Sequence, residues 1–108
     1  MALPETTDAQ FEADVLQSDV PVLVDFGAVW CSPCKALKPV VEDLAKTYAG
    51  RVKVHYFDIG KHTKVPAHYG ISSIPVLLIF KGGKERARLI GIKPKGEIAK
   101  QLDAALAS

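Results

Sequence analysis

Two cysteines occur among the 108 residues, Cys31 and Cys34, with Ser32 and Pro33 between them. A CxxC pair can be a redox couple, half of a metal site or two packed thiols. If a helix begins at Ser32 or Pro33, Cys31 is its N-cap and Cys34 lies inside the first turn, where the two α-carbons can fall within the range that permits a disulfide. The unpaired N–H groups and dipole of that terminus favour a Cys31 thiolate, lowering a thiol pKa from roughly 8.5 towards about 7. A thiolate near ambient pH is close to the best attacking group for thiol–disulfide exchange. Cys34, one turn deeper and expected to be less exposed, suits the resolving role. It must lose a proton to attack. Asp25, the anomaly in an apolar run, is the candidate acceptor, because burial would raise its pKa into a useful range. The alternatives for Asp25 are a carboxylate hydrogen-bonded to backbone or one reaching solvent from a strand end.

The metal reading is poorly supplied. A structural zinc site needs four ligands, and only His55, His62 and His68 remain, without a second CxxC or an HxxxH pair at a useful spacing. Inert packed thiols, for their part, have no need of a neighbouring Trp30 and a helix start.

The elements that must position these residues follow from periodicity. Thr7 followed by Gln10 has the form of a capping box, and Phe11, Val15 and Leu16 recur at helical spacing, predicting a helix from about Asp8 to Ser18. "VPVLVDF", residues 20–26, is a β-branched run bounded by Pro21 and Gly27, as in a strand buried on both faces. A helix from Pro33 to Tyr48 is predicted by Leu37, Val40, Val41, Leu44, Ala45 and Tyr48, with Pro33 in its first turn, Pro39 expected to kink it and Gly50 ending it. "VKVHYFDI", residues 52–59, reads as a second strand, followed by a short helix containing Pro66 and ending at Gly70. "PVLLIF", residues 75–80, is a third; "KGGK" is a turn signal, and "ERARLI" can return antiparallel as an edge strand. Ile98, Leu102, Ala105 and Leu106 share one face of a last helix, about Lys95 to Ala107. "ALPE" could add a short edge strand, weakened by Pro4. The order implies an α/β domain with a mixed sheet of four to five strands covered by helices on both faces.

A chain of this length, 48% hydrophobic, is expected to form one domain over residues 1–108. No apolar run approaches the roughly 20 residues that span a bilayer, and "MALPETTDAQ" lacks the basic and apolar regions of a signal peptide, so a soluble, cytoplasmic protein with no membrane partner is expected. Two cysteines are too few for a disulfide-stapled secreted scaffold. Charge is divided: residues 1–60 hold five Lys/Arg against nine Asp/Glu, residues 61–108 nine against three. Lys81, Lys84, Arg86, Arg88, Lys93, Lys95 and Lys100 could draw nucleic acid or an acidic partner, but no aromatic residues interleave with them to stack bases. A solvated face is the simpler reading, and no nucleic-acid partner is expected.

"VDFGAVWCSPCKALKP", "YGISSIPVLLIFKGGK" and "IGIKPKGEIAKQLDAAL", in this order and spacing, resemble the thioredoxin family over nearly the whole chain. The resemblance implies the thioredoxin fold, reduction of protein disulfides, no bound cofactor, a monomer, and electrons from NADPH through a thioredoxin reductase. It implies that Cys31 is the nucleophile, Cys34 the resolving thiol and Asp25 the proton-transfer acid. Pro75 matches the family's cis-proline, which would turn the chain and expose the backbone of Ile74 to a strand-like substrate. Trp30, Ile59, Ile74, Gly91 and Ile92 match an apolar substrate surface, and Lys35 and Pro39 match the family helix. Four features depart from the pattern. Gly27 stands where an aromatic is usual, removing packing beside Asp25. Ser32 replaces a glycine. Tyr56 replaces a lysine near the buried Asp, which is expected to leave Asp25 without its cation and to raise its pKa. "DIGKH" is less acidic than its counterpart. An oxidising relative serving as oxidase or isomerase, and a redox-silent interaction module, are the alternative functions.

Overall fold

A computed structural model describes residues 3–108. The elements are β1 (Glu5–Thr6), a π-helical turn (Glu12–Leu16), β2 (Val22–Gly27), α1 (Ser32–Thr47), β3 (Lys53–Asp58), α2 (Lys64–His68), β4 (Val76–Lys81), β5 (Lys84–Ile90) and α3 (Lys95–Ala107). The strands form one five-stranded sheet in the order β1-β3-β2-β4-β5. β3 runs parallel to β1 and β2, whereas β4 is antiparallel to β2 and β5.

β2 is central because every one of its residues is buried. Alternation along the strands then divides the core into two layers. Leu23, Leu77 and Ile79 face α1 and α3, meeting Leu37, Val41, Leu44, Ile98 and Leu102. Val22, Val24, Phe26, Leu78 and Phe80 face the other side, with Phe11, Val15 and Phe57. Phe57 tilts against Phe26 at 5.0 Å between centroids and meets the edge of Phe11 at 6.2 Å. Each fully buried Leu or Phe contributes about 1.5–3 kcal/mol of transfer free energy, so both faces hold the sheet. At the far end of α1 from the cysteines, the Tyr48 hydroxyl donates to Asp103 Oδ1 at 2.6 Å, tying α1 to α3.

The predicted helix over Asp8–Ser18 is corrected to five residues of π-helix, with the backbone N–H of Gln17 donating to Glu12 O. The cap is present, since Gln10 N donates to Thr7 Oγ1 at 3.1 Å. Asp8, however, is used elsewhere: its carboxylate accepts the backbone N–H groups of Thr63, Lys64 and Val65 at 3.1, 3.1 and 2.8 Å, satisfying the start of α2. Phe11 and Val15 are both sunk into the phenylalanine layer.

Apart from β1, the other elements lie within about two residues of their predicted ends. β1 begins at Glu5, just after Pro4, whose carbonyl accepts Tyr56 N at 2.9 Å. Ala2 of "ALPE" lies outside the described residues. Gly82 and Gly83 both adopt positive φ, +63° and +78°, which makes the β4–β5 turn.

Candidate active site

α1 begins where β2 delivers it. After Gly27 the chain makes a short turn through Ala28, Val29 and Trp30, and Cys31 takes extended backbone angles as the N-cap. Pro33 occupies the first turn, where its missing N–H costs nothing. Cys31 and Cys34 are joined as a disulfide, with α-carbons 5.3 Å apart. The Cys34 backbone N–H donates to Cys31 Sγ at 3.2 Å. A side chain at an N-cap normally accepts from this amide; here a sulfur does, so negative charge developing on Cys31 Sγ meets an oriented donor and the positive end of a helix.

The expected difference in exposure is not found in this oxidised form. Both cysteines are buried to the same extent. What separates them is their surroundings: Cys31 Sγ takes the amide of the helix start, while Cys34 is turned towards β2, its Cβ and Sγ each 3.3 Å from where a Cβ on Gly27 would sit. Ile59 and Ile74 pack against Ala28 and both cysteines. The Ile74–Pro75 peptide is cis, and Pro75 O accepts Gly91 N at 2.9 Å, which brings the Gly91–Ile92 turn beside the proline. Gly91 has φ +84° with open space around it, and Trp30 and Ile92 are exposed at 69% and 56%. Half-buried Ile59 and Ile74 with exposed Trp30 and Ile92 thus leave apolar surface near the disulfide. Ser32 and Pro33, between the cysteines, face solvent.

Asp25 is buried on the α1 face of β2, two residues before Gly27, and its Oδ1 has no hydrogen-bond partner. Burial pushes its pKa up to about 7, partly opposed by the ammonium of Lys38. A cation acting on Asp25 is therefore present even though Tyr56 stands in place of the family lysine. It comes from the helix instead of the strand. Tyr56 pairs with Asp25 in register across β2 and β3. Burial, with Asp58, Asp25 and Glu5 nearby, pushes its phenol up to about 12.

The Gly27 departure has its explanation in the same ring together with Cys34, both of which a side chain there would crowd. A Cβ at Gly27 would lie 3.2 Å from Tyr56 Cε1, so the tyrosine takes up space that a side chain on β2 would need. Gly27→Ala is expected to cost about 1–3 kcal/mol through overpacking, measured by urea denaturation. That cost should shrink when Tyr56→Ala is made in the same chain; a cost independent of Tyr56 would refute the ring contact as its cause. Beside Tyr56 a cavity of about 140 Å³ is lined by Ala28, Val29, Cys34, Lys35, Lys38 and Tyr56.

Two neighbours of the pair escaped the sequence reading. Lys38 follows Cys34 by four residues, hence on the same helix face, and that spacing could have found it. Val29, 69% exposed, carried no periodic signal because it lies in the turn. The histidines do not converge on the cysteines: among the described residues no group of three His, Cys, Asp or Glu side chains forms a metal cluster. His55 lies on β3, where burial lowers its pKa, His62 stands edge-on to Phe57, and His68 ends α2.

A mixed sheet that presents a disulfide at a helix N-terminus, with a buried carboxylate behind it, defines a thiol–disulfide oxidoreductase. The family model described as thioredoxin matches residues 2–104. Thioredoxin 1 of Nostoc sp. is 44% identical over 102 residues, 94% of this chain and 95% of the relative. The thioredoxin of Pseudomonas aeruginosa is 45% identical over 98 residues, 91% of each chain, and thioredoxin 2 of Chlorobaculum tepidum 46% over 99 residues, 92% of this chain and 91% of the relative. The chain belongs to the thioredoxin family.

Proposed function

We propose that this oxidoreductase works as a reductase of protein disulfides, with Cys31 attacking, Cys34 resolving and Asp25 exchanging the proton. The observation that carries the reading is the Cys34 N–H directed at Cys31 Sγ at the start of α1. The Cys31 thiolate attacks one sulfur of a substrate disulfide, forming a mixed disulfide and releasing the other sulfur as thiolate. Asp25, ionised, takes the proton of Cys34; the Cys34 thiolate then attacks Cys31 Sγ, closing the intramolecular disulfide and releasing the second substrate sulfur. The proton held by Asp25 returns to a departing thiolate. Two electrons pass to the substrate, and the oxidised pair is the state seen here.

Trp30, Ile59, Ile74, Pro75, Gly91 and Ile92 hold the substrate segment: the apolar side chains cover it, and Gly91 lets its backbone approach. No tightly bound cofactor takes part. Electrons come from NADPH through a thioredoxin reductase, and the protein acts as a cytoplasmic monomer of one domain. The absence of a helix long and apolar enough to cross a membrane, among the described residues, is compatible with that placement.

Insulin reduction driven by dithiothreitol tests the activity. The wild type is expected to precipitate the insulin B chain well ahead of the dithiothreitol background, and Cys31→Ser to match that background; equal rates would sink the reading. A redox potential near roughly −270 mV is expected of a reductase, and a markedly higher one would assign the protein to the oxidase class. NADPH consumption with a panel of thioredoxin reductases checks the electron source.

A further inference from the structure

We propose that Lys38 is a positioning residue for proton transfer, serving as the cation that α1 presents to Asp25, with the Tyr56 ring as its seat. The inference rests on the reading of Asp25 as the proton acceptor of Cys34.

Lys38 Nζ stands 4.3 Å from the centroid of the Tyr56 ring. An ammonium over an aromatic face is held by the ring's quadrupole, which offsets part of the entropy a lysine loses when fixed. The ring is placed by β3, whose Tyr56 is the register partner of Asp25 on β2. Gly27, two residues along β2 on the same face, leaves the room the ring occupies. Lys38 thus lines the same cavity as Cys34, four residues back on the same helix face. Gly27, Tyr56 and Lys38, on three different elements, form one unit.

The groups around Asp25 leave Lys38 as its source of positive charge. On α1, Lys35 also lines the cavity, but the ammonium opposing the effect of burial on Asp25 is that of Lys38. On β3, Tyr56 is a neutral phenol, and Asp58 is spent on Gly60 N at 2.8 Å. β4 offers Leu77 opposite Asp25, without charge. Burial of a carboxylate with an unpartnered oxygen favours its protonated form, which cannot take a proton from Cys34, and a nearby ammonium favours the ionised form that can. Lys38 thus lowers the pH at which Asp25 can accept the Cys34 proton, from the cavity-facing side of α1.

The test is a carboxyl-resolved NMR titration of oxidised wild type, Lys38→Gln, Lys38→Arg, Lys35→Gln and Asp25→Asn, with the pH profile of insulin reduction measured in parallel. Lys38→Gln is expected to move the Asp25 midpoint upward by roughly half a unit or more and the acid limb of the profile with it. Lys38→Arg should restore both, and Lys35→Gln should leave both in place. A neutral titration that persists unshifted in Lys38→Gln, or that Lys35→Gln shifts as far, overturns the role of Lys38 alone. A wild type with no Asp25-dependent titration near neutrality overturns the Asp25 reading and this inference with it.

Discussion

Cys34→Ser is expected to arrest the reaction halfway: incubated with a disulfide-containing protein such as insulin, it should accumulate a covalent adduct through Cys31. The reason is geometric. The Cys31 thiolate still sits at the helix N-terminus, where dipole and backbone donors favour its negative charge. Removing Cys34 takes away the intramolecular attacker, whose α-carbon lies 5.3 Å away in the disulfide. An attacker held that close acts at an effective concentration that thiols free in solution do not reach. Turnover should therefore fall by orders of magnitude while the first attack persists. Non-reducing electrophoresis or intact mass spectrometry would show an adduct larger than the free protein by one substrate molecule and cleaved by dithiothreitol. Adducts formed instead by Cys31→Ser and not by Cys34→Ser would reverse the assigned roles.

The second large effect concerns stability. Asp25 is 1% exposed, and burial raises its pKa from 3.8 to about 7. In the unfolded chain the carboxyl ionises at its ordinary value, so between pH 4 and 7 the unfolded state gives up a proton that the folded state keeps. Stability therefore falls as pH rises through that window, and the penalty is complete above the folded pKa. Below about pH 4 it is absent. Such a shift corresponds to roughly 4 kcal/mol at most. Asp25→Asn should accordingly be more stable than wild type above pH 7 by a few kcal/mol, with the difference closing on acidification. Urea denaturation at pH 4 and pH 8 reads this directly, and a pH-independent difference would show that Asp25 ionises alike in both states. The wild type retains a carboxylate that weakens its own fold, as expected where a buried acid serves the chemistry.

Much of this architecture was legible because local rules agreed with the tertiary outcome. α3 runs from Lys95 to Ala107 as its periodicity predicts, since Ile98, Leu102 and Ala105 are its buried residues. Cys31 could be placed at an N-cap because Pro33 marks a first turn. The N-terminal helix was not legible, because Asp8 is taken up by amides more than fifty residues away and no local rule reports such a partner. The surroundings of Asp25 were half legible: the carboxylate stood out in its apolar run, and the replacement of a family lysine by Tyr56 was visible. That an ammonium from another element sits over the replacement ring required the packing of α1 on β3.

The basic excess of the C-terminal half has a place in this sheet that its composition did not disclose. β5 is the long edge of the sheet, the other edge being only the two residues of β1. Long open edges invite a second copy to add its own strand. Glu85 is engaged by Arg88 at 2.8 Å, and among the described residues the exposed Lys84 and Arg86 along that border have no ion-pair partner. Two copies approaching edge to edge would bring positive charge towards positive charge, so the border that could seed sheet-to-sheet aggregation is guarded by repulsion.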